Sequence, residues 1–314
     1  MARKLRLESE GGIYHVINRG NYRAAIFQQP KTKAAFLKCL EEACAKTGWR
    51  VHAWCVMSNH YHLAVETPQA NLVDGMRWLQ GTFSVRFNRL RNERGHLFQG
   101  RYKSLMVDPA EGLGALCHYI HLNPLRAGIC SMTQLPEWPW TSLSWVTNPK
   151  RRQLWFVPQT ALAHAGGLAD TAAGRRKYIE YLDWLREDES ARKALKFDSM
   201  SSGWAIGSTQ FKKELVDEHR AAIAALRKGD PETGDLAEAR RQDALATALH
   251  TAGKKREDLI RSGKSEPWKL TLAAELKTKT TATNRWLGEN LHLGALHEVS
   301  RKLNAHLNRA TRPT

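Results

Sequence analysis

Two histidines stand one residue apart, His60 and His62, inside the stretch HYHLAVE (60–66). Side chains alternate between the faces of an extended strand, so both imidazoles point one way and Tyr61 the other. Two imidazoles on one face can pinch a divalent cation; they can equally form a hydrogen-bonded surface pair. A second pair lies in CHYIHLNP (117–124), where Tyr119 and Asn123 are four residues apart and share a helix face. A cation held by His60 and His62, with Asn123 as third ligand, would have the Tyr119 hydroxyl one helical turn away. Those parts suit phosphoryl transfer. The cation draws charge onto the non-bridging oxygens of a phosphate. The tyrosine attacks phosphorus and displaces the 3′-oxygen, and the 5′-phosphotyrosine link stores the bond for later reversal.

The obstacle is the phenol. With an ordinary pKa near 10 it is ionised about once per thousand molecules at pH 7, a cost of about 4 kcal/mol that neighbouring cations must offset. Arg101, Lys103 and His121 are near in sequence. The plain alternative for Tyr119 is a core residue, although Leu116 and Ile120 face a core better. Tyr102 is a rival nucleophile, ranked lower because strand residues near a sheet edge more often pack or bind backbone.

The elements that must position these groups are legible in the hydrophobic period. GIYHVIN (12–18) alternates as a strand. KTKAAFLKCLEEACAKTG (31–48) spaces its apolar residues as a helix and stops at Gly48. VHAWCVM (51–57), a Ser58-Asn59 turn and HYHLAVE (60–66) read as a hairpin. NLVDGMRWLQGTFSVRFNRLRNERG (71–95) is an amphipathic helix with Leu72, Met76, Leu79, Phe83, Phe87 and Leu90 on one side, ended by Gly95. GRYKSLMV (100–107) is a fourth strand. Asp108 as N-cap and Pro109 at the first position start a helix that Asn123-Pro124 halts. The order βαββαβ is the ferredoxin-like arrangement, an antiparallel four-stranded sheet with two helices on one face. Its first and third strands lie at the centre. Tyr61, Leu63 and Val65 should pack inward, sending His60, His62 and Ala64 to a face left open for substrate.

The 314 residues include 48 Lys+Arg against 31 Asp+Glu, a formal net charge of +17. Residues 1–130 carry 18 basic and 9 acidic side chains and residues 131–314 carry 30 and 22, so both parts are basic. That points to a long polyanion, nucleic acid ahead of an anionic membrane surface. An apolar fraction of 42% with 8% aromatics describes a folded chain, long enough for two domains. No apolar run approaches the roughly 18 residues that cross a bilayer, and MARKLRLESEGG lacks a signal core, so a cytoplasmic, nucleoid-associated protein is expected. Cys39, Cys44, Cys55, Cys117 and Cys130 are odd in number with no C-x-x-C pair, which fits small buried thiols and argues against disulfides or a zinc ribbon.

Four ordered blocks, YHVINRG (14–20), VHAWCVMSNHYHLAVETP (51–68), GHLFQGRYKS (95–104) and YIHLNPLRAG (119–128), resemble the single-tyrosine HUH transposases, specifically the REP-associated tyrosine transposases of the insertion-sequence 200-like class. The resemblance covers residues 12 to about 145. It implies His60 and His62 as metal ligands, Tyr119 as nucleophile and Asn123 as the polar ligand four residues on, where the wider class often has Gln. It implies Mg²⁺ or Mn²⁺ as cofactor and single-stranded DNA beside hairpins as substrate. It leaves a monomer or a homodimer open, because the tyrosine helix is swapped between partners in part of the class. Arg19, Arg101, Lys103 and Arg126 are the cations expected to hold DNA near such a site.

A Pro/Trp-rich connector and helices (131–210) follow the catalytic domain (1–130), then a helical domain (211–314) within which GDPETGD (229–235) reads as a turn or linker. Within it, residues 267–308 read as helix, helix, tight turn and helix. Trp286, Leu287, Leu291, Leu296, Val299 and Leu303 are its expected core. That is helix-turn-helix spacing, and Arg285, His297, Ser300, Arg301, Asn304 and His306 would face a duplex groove. A plain three-helix bundle for protein contacts is the alternative. The fold class is therefore α+β with an all-helical C-terminal region. The leading function is metal-dependent cleavage and strand transfer of repeat-associated DNA, by a transposase or a domesticated relative. A non-cleaving DNA-binding protein or repressor of the same fold is the second. An RNA-binding sheet is the weakest, since histidines stand where stacking aromatics would.

Overall fold

In the computed structural model, residues 7–224 and 234–310 are described. The alternating segments form β1 (Gly12–Arg19), β2 (Arg50–Val56), β3 (His60–Thr67) and β4 (Lys103–Val107), antiparallel in the order β2-β3-β1-β4. A fifth strand, β5 (Ala205–Ile206), adds parallel to β4. Two residues are too few to show alternation, which is why the sequence pattern does not announce it.

Helices α1 (Pro30–Thr47) and α2 (Leu72–Arg91) connect the strands and cover one face. Phe27, Phe36 and Phe83 pack there against Tyr61, whose ring centre lies 4.7 Å from that of Phe36. Gly48 closes α1 in the left-handed region at φ 72°. The expected stop of the second helix at Gly95 is corrected to Asn92, at φ 53°, whose N–H and that of Glu93 satisfy the carbonyls of Arg89 and Asn88. Leu90, expected on the apolar side, falls in this last turn and is exposed.

The other face of the sheet is not open. It is covered by α3 (Leu113–His121), which α4 (Asn123–Arg126) follows, and by the segment around Met200, so the expectation of a bare substrate platform is corrected: His15, His62 and Ala64 are buried. The helix expected from Pro109 begins later. Asp108 does accept from the N–H groups of Ala110 and Glu111, but they form a turn ahead of Leu113. Its Oδ2 also accepts from Ser208, which ties this corner to β5.

The Pro/Trp-rich stretch zips onto the free edge of β2. Val51 N–H donates to the Trp155 carbonyl at 2.8 Å and Val56 N–H to that of Trp140 at 2.9 Å. An edge strand is thereby shielded. Helices α5 (Leu143–Thr147), α6 (Gln159–His164), α7 (Ala172–Glu187) and α8 (Glu189–Ala194) complete this unit, Arg6–Lys212. A Cβ on Gly114 of α3 would lie 2.0 Å from the His164 ring, so only glycine lets α3 sit this close to α6.

The second compact unit begins at Lys213, within α9 (Thr209–Glu218). It contains α10 (Arg220–Ala224), α11 (Gly234–Thr251), α12 (Arg256–Arg261), α13 (Pro267–Lys279), α14 (Asn284–Asn290) and α15 (Leu296–Ala310). Of the turn or linker expected at 229–235, residues 229–233 lie outside the described residues, and Gly234 already begins α11. Leu245, Leu272, Leu276, Trp286, Leu287, Leu291, Val299 and Leu303 form its core. Leu296 was expected in that core and is instead 52% exposed. Leu293 takes the place, because the turn winds through His292 at φ 53° and Gly294 at φ 97°. No helix among the described residues is long and apolar enough to cross a membrane.

Candidate active site

Strand alternation and the β1–β3 register assemble the site. Ile17 pairs with His62, Arg19 with His60 and His15 with Ala64, which places His15, Arg19, His60 and His62 on one face. The ring centres of His60 and His62 are 5.0 Å apart. From α3, Tyr119 brings its ring to 5.9 Å from His62 and 6.1 Å from His15. Strand and helix thus bring Tyr119 beside His62 and His15, with His60 next to His62.

Burial governs the charge state of the histidines. Desolvation holds His62 well below the ordinary imidazole range, with His15, His60 and Arg126 adding repulsion. His60 is lowered by burial and by the Arg19 guanidinium. His15 is pushed down to about 4, chiefly by burial. All three rings are therefore neutral at neutral pH. His60 Nδ1 bonds Asn59 Oδ1 at 2.7 Å and His62 Nδ1 bonds His15 Nε2 at 2.9 Å. The Nε2 atoms of His60 and His62 are the nitrogens these bonds leave uncommitted.

The tyrosine is held from several sides. Its hydroxyl lies 3.0 Å from Ser201 Oγ, and its ring meets Phe197 edge-on at 5.6 Å. The Arg126 guanidinium stands over the ring, 4.8 Å from its centre. Lys103 is anchored beside it by donating to the Ser201 carbonyl at 2.6 Å. Asn123 is 9% exposed, and its Nδ2 is buried without a hydrogen-bond partner.

Among the described residues, no group of three or more His, Cys, Asp and Glu side chains could hold a metal ion. A cation here would have two imidazoles and at most the Asn123 amide, with phosphate oxygens and water completing its shell. The donor set that fits such an open divalent site is the two uncommitted ring nitrogens on one strand face; Asn123 could add only its Oδ1, since the orphaned Nδ2 is a hydrogen-bond donor.

His121 does not assist Tyr119. Its Nδ1 is locked to the Tyr178 hydroxyl at 2.8 Å and its Nε2 to Ser142 Oγ at 2.9 Å, and burial pushes it down to about 3. It leaves α3 on the side opposite the expected role. Tyr102 is buried and acts electrostatically on Tyr61, which places it toward the α1/α2 side of the sheet. Arg19, Arg101 and Arg126 are exposed. Arg285, His297, Arg301 and Asn304 are exposed and Ser300 half-buried in the second unit. His15, Phe197, Met200 and Ser201 escape the motif reading. A histidine on a central strand of otherwise apolar residues is a legible signal for His15. Nothing local marks a serine 82 residues after Tyr119.

Residues 9–123 match the family described as IS200-like transposases. Among solved structures, the chain is similar to a REP-associated tyrosine transposase bound to a REP hairpin. Identity is 15% and the TM-score 0.41, with 50% of this chain and 92% of that one covered. No curated protein matches the sequence.

Proposed function

We propose, from the match of residues 9–123 to the IS200-like transposase family, that the chain cleaves and rejoins single-stranded DNA through Tyr119. The observation that carries the reading is the convergence of a phenol from α3 on the imidazole pair of β3, within 5.9 Å of His62. The substrate class proposed is single-stranded DNA beside a hairpin.

The chemistry follows from the side chains. His60, His62 and Asn123 would hold Mg²⁺ or Mn²⁺, which when bound polarises the scissile phosphate. Imidazole and amide donors suit Mn²⁺ better than Mg²⁺, which prefers oxygen and water. Arg126 and Lys103 supply positive charge beside the phenol. The Tyr119 oxygen bonds to phosphorus, and the bond from phosphorus to the 3′-oxygen breaks. The freed 3′-hydroxyl departs with a proton, and the 5′-phosphate stays on the tyrosine. Attack by a 3′-hydroxyl on that link reverses the step and rejoins strands, with no net loss of phosphodiester bonds. Arg19 and Arg101, both exposed, would contact the DNA backbone.

For the second unit we propose duplex contact through α14 and α15, as a helix-turn-helix. The support is that Arg285, His297, Arg301 and Asn304 are solvent-exposed while Trp286, Leu287, Val299 and Leu303 are buried. The spacing of 297, 301 and 304 puts three of these side chains on one helix face.

The test incubates the protein with Mn²⁺ and end-labelled single strands carrying hairpins. The expected result is a covalent protein–DNA adduct that His60→Ala, His62→Ala and Tyr119→Phe each abolish while DNA binding persists. Tight hairpin binding with no adduct on any strand would instead make this a non-cleaving binding protein.

A further inference from the structure

The hydrogen bonds behind the imidazole pair fix which nitrogen of each ring carries the proton. His15 Nδ1 lies 2.7 Å from the Met200 carbonyl oxygen. A carbonyl only accepts, so His15 Nδ1 bears the hydrogen. A neutral imidazole has one N–H, which leaves His15 Nε2 a lone pair. That lone pair faces His62 Nδ1 at 2.9 Å, so His62 Nδ1 must donate, and the His62 lone pair is on Nε2. The other histidine is set by a separate arm. Asn59 Nδ2 donates to the Arg23 carbonyl, which turns Oδ1 toward His60 Nδ1 at 2.7 Å. An amide oxygen only accepts, so His60 also carries its proton on Nδ1 and its lone pair on Nε2.

Free imidazole side chains in water favour the opposite form, with the proton on Nε2. We propose that His15 is a positioning residue: relaying from the Met200 carbonyl, it locks His62 in the less common tautomer, with Nε2 free for a cation, as Asn59 does for His60. The proposal rests on the metal reading given above for His60 and His62. Partners behind a ligating histidine that set its tautomer are a general means of tuning a metal site. Nothing in the H-x-H pattern shows this partner. It comes from β1, and its own anchor from residue 200, 185 positions away.

The test reads tautomers directly. In the metal-free protein with ¹⁵N-labelled histidine, His15 and His62 are expected as Nδ1–H forms, assigned by the signals lost in His15→Gln and His62→Gln. Manganese binding to the full chain is then titrated by electron paramagnetic resonance. His15→Phe fills the space without a relay and is expected to lower Mn²⁺ affinity about 10- to 100-fold. His15→Gln can donate to Met200 and accept from His62 and is expected to restore affinity to within about threefold of the parent. Finding His62 as the Nε2–H form overturns the relay, whether or not metal binds, and it decides the matter even where His15→Phe does not fold. Unchanged Mn²⁺ affinity in a folded His15→Phe overturns the positioning role. A parent chain with the expected tautomers but no Mn²⁺ binding sinks the metal reading itself, and the positioning role with it.

Discussion

Replacing Arg126 with glutamine removes the positive charge standing 4.8 Å from the centre of the Tyr119 ring while keeping much of the side chain's length. As the phenol loses its proton, its oxygen gains a full negative charge that the guanidinium attracts. At an effective dielectric near 20 and a separation of about 5 Å, that attraction is about 3 kcal/mol; in bulk water it would be about 1. Arg126 is exposed, so screening pulls the value toward the lower end. The expected loss is therefore about 1–3 kcal/mol, a slowing of about 5- to 150-fold in covalent adduct formation. The assay is single-turnover adduct formation at saturating DNA and Mn²⁺, which separates the chemical step from binding. Arg126→Lys keeps a charge and should retain most of the rate. The deficit of the glutamine variant should shrink as salt rises, because the screening length falls from about 10 Å at 0.1 M to about 3 Å at 1 M. A glutamine variant that reacts at the parental rate once DNA is saturating, with only its affinity reduced, would refute the electrostatic argument and leave Arg126 as a phosphate contact.

Three further outcomes follow from the packing and the buried rings. Gly114→Ala drives a methyl into the His164 imidazole, so α3 must shift; a loss of about 1–3 kcal/mol in urea melts, with slower adduct formation, is expected, and parental stability would contradict it. His118 and His121 share the Tyr178 hydroxyl and are held below the ordinary histidine value of 6.5, His121 at about 3. Unfolding lets both take up protons below pH 6.5, so stability is complete above that pH. It is lost as pH falls toward 3, by up to about 1.4 kcal/mol per pH unit for each ring. Melts between about pH 7.5 and 5 check this, and a flat profile would contradict it. Finally, calorimetry should find Mn²⁺ bound more tightly than Mg²⁺, and His62→Ala should remove the difference; equal affinities would speak against imidazole ligation.

The sequence pattern made much of the first unit legible, because alternation and helical spacing report burial directly. Asn92 was missed as a helix stop because Gly95, three residues on, is the louder signal. Tertiary covering was harder to foresee. The face that carries His62 is closed by α3 and by residues near Phe197 and Ser201, and no local pattern says where a distant segment will lie. Tyr119 meets the imidazoles because α3 packs over the sheet, whereas His121, two residues on, turns to Tyr178 and Ser142. In the second unit Leu293 and Leu296 compete for one core position, and a left-handed residue at His292 decides between them.

The central claim is that the Tyr119 oxygen itself becomes bonded to DNA phosphorus. Tryptic mapping of the adduct by mass spectrometry reads that bond. Tyr119 is the one tyrosine in the peptide 104–126, whereas Tyr102 falls in the separate dipeptide Tyr102-Lys103. A nucleotide on 104–126, at Tyr119, is the predicted result; a nucleotide on Tyr102, or on any other residue, would contradict the account.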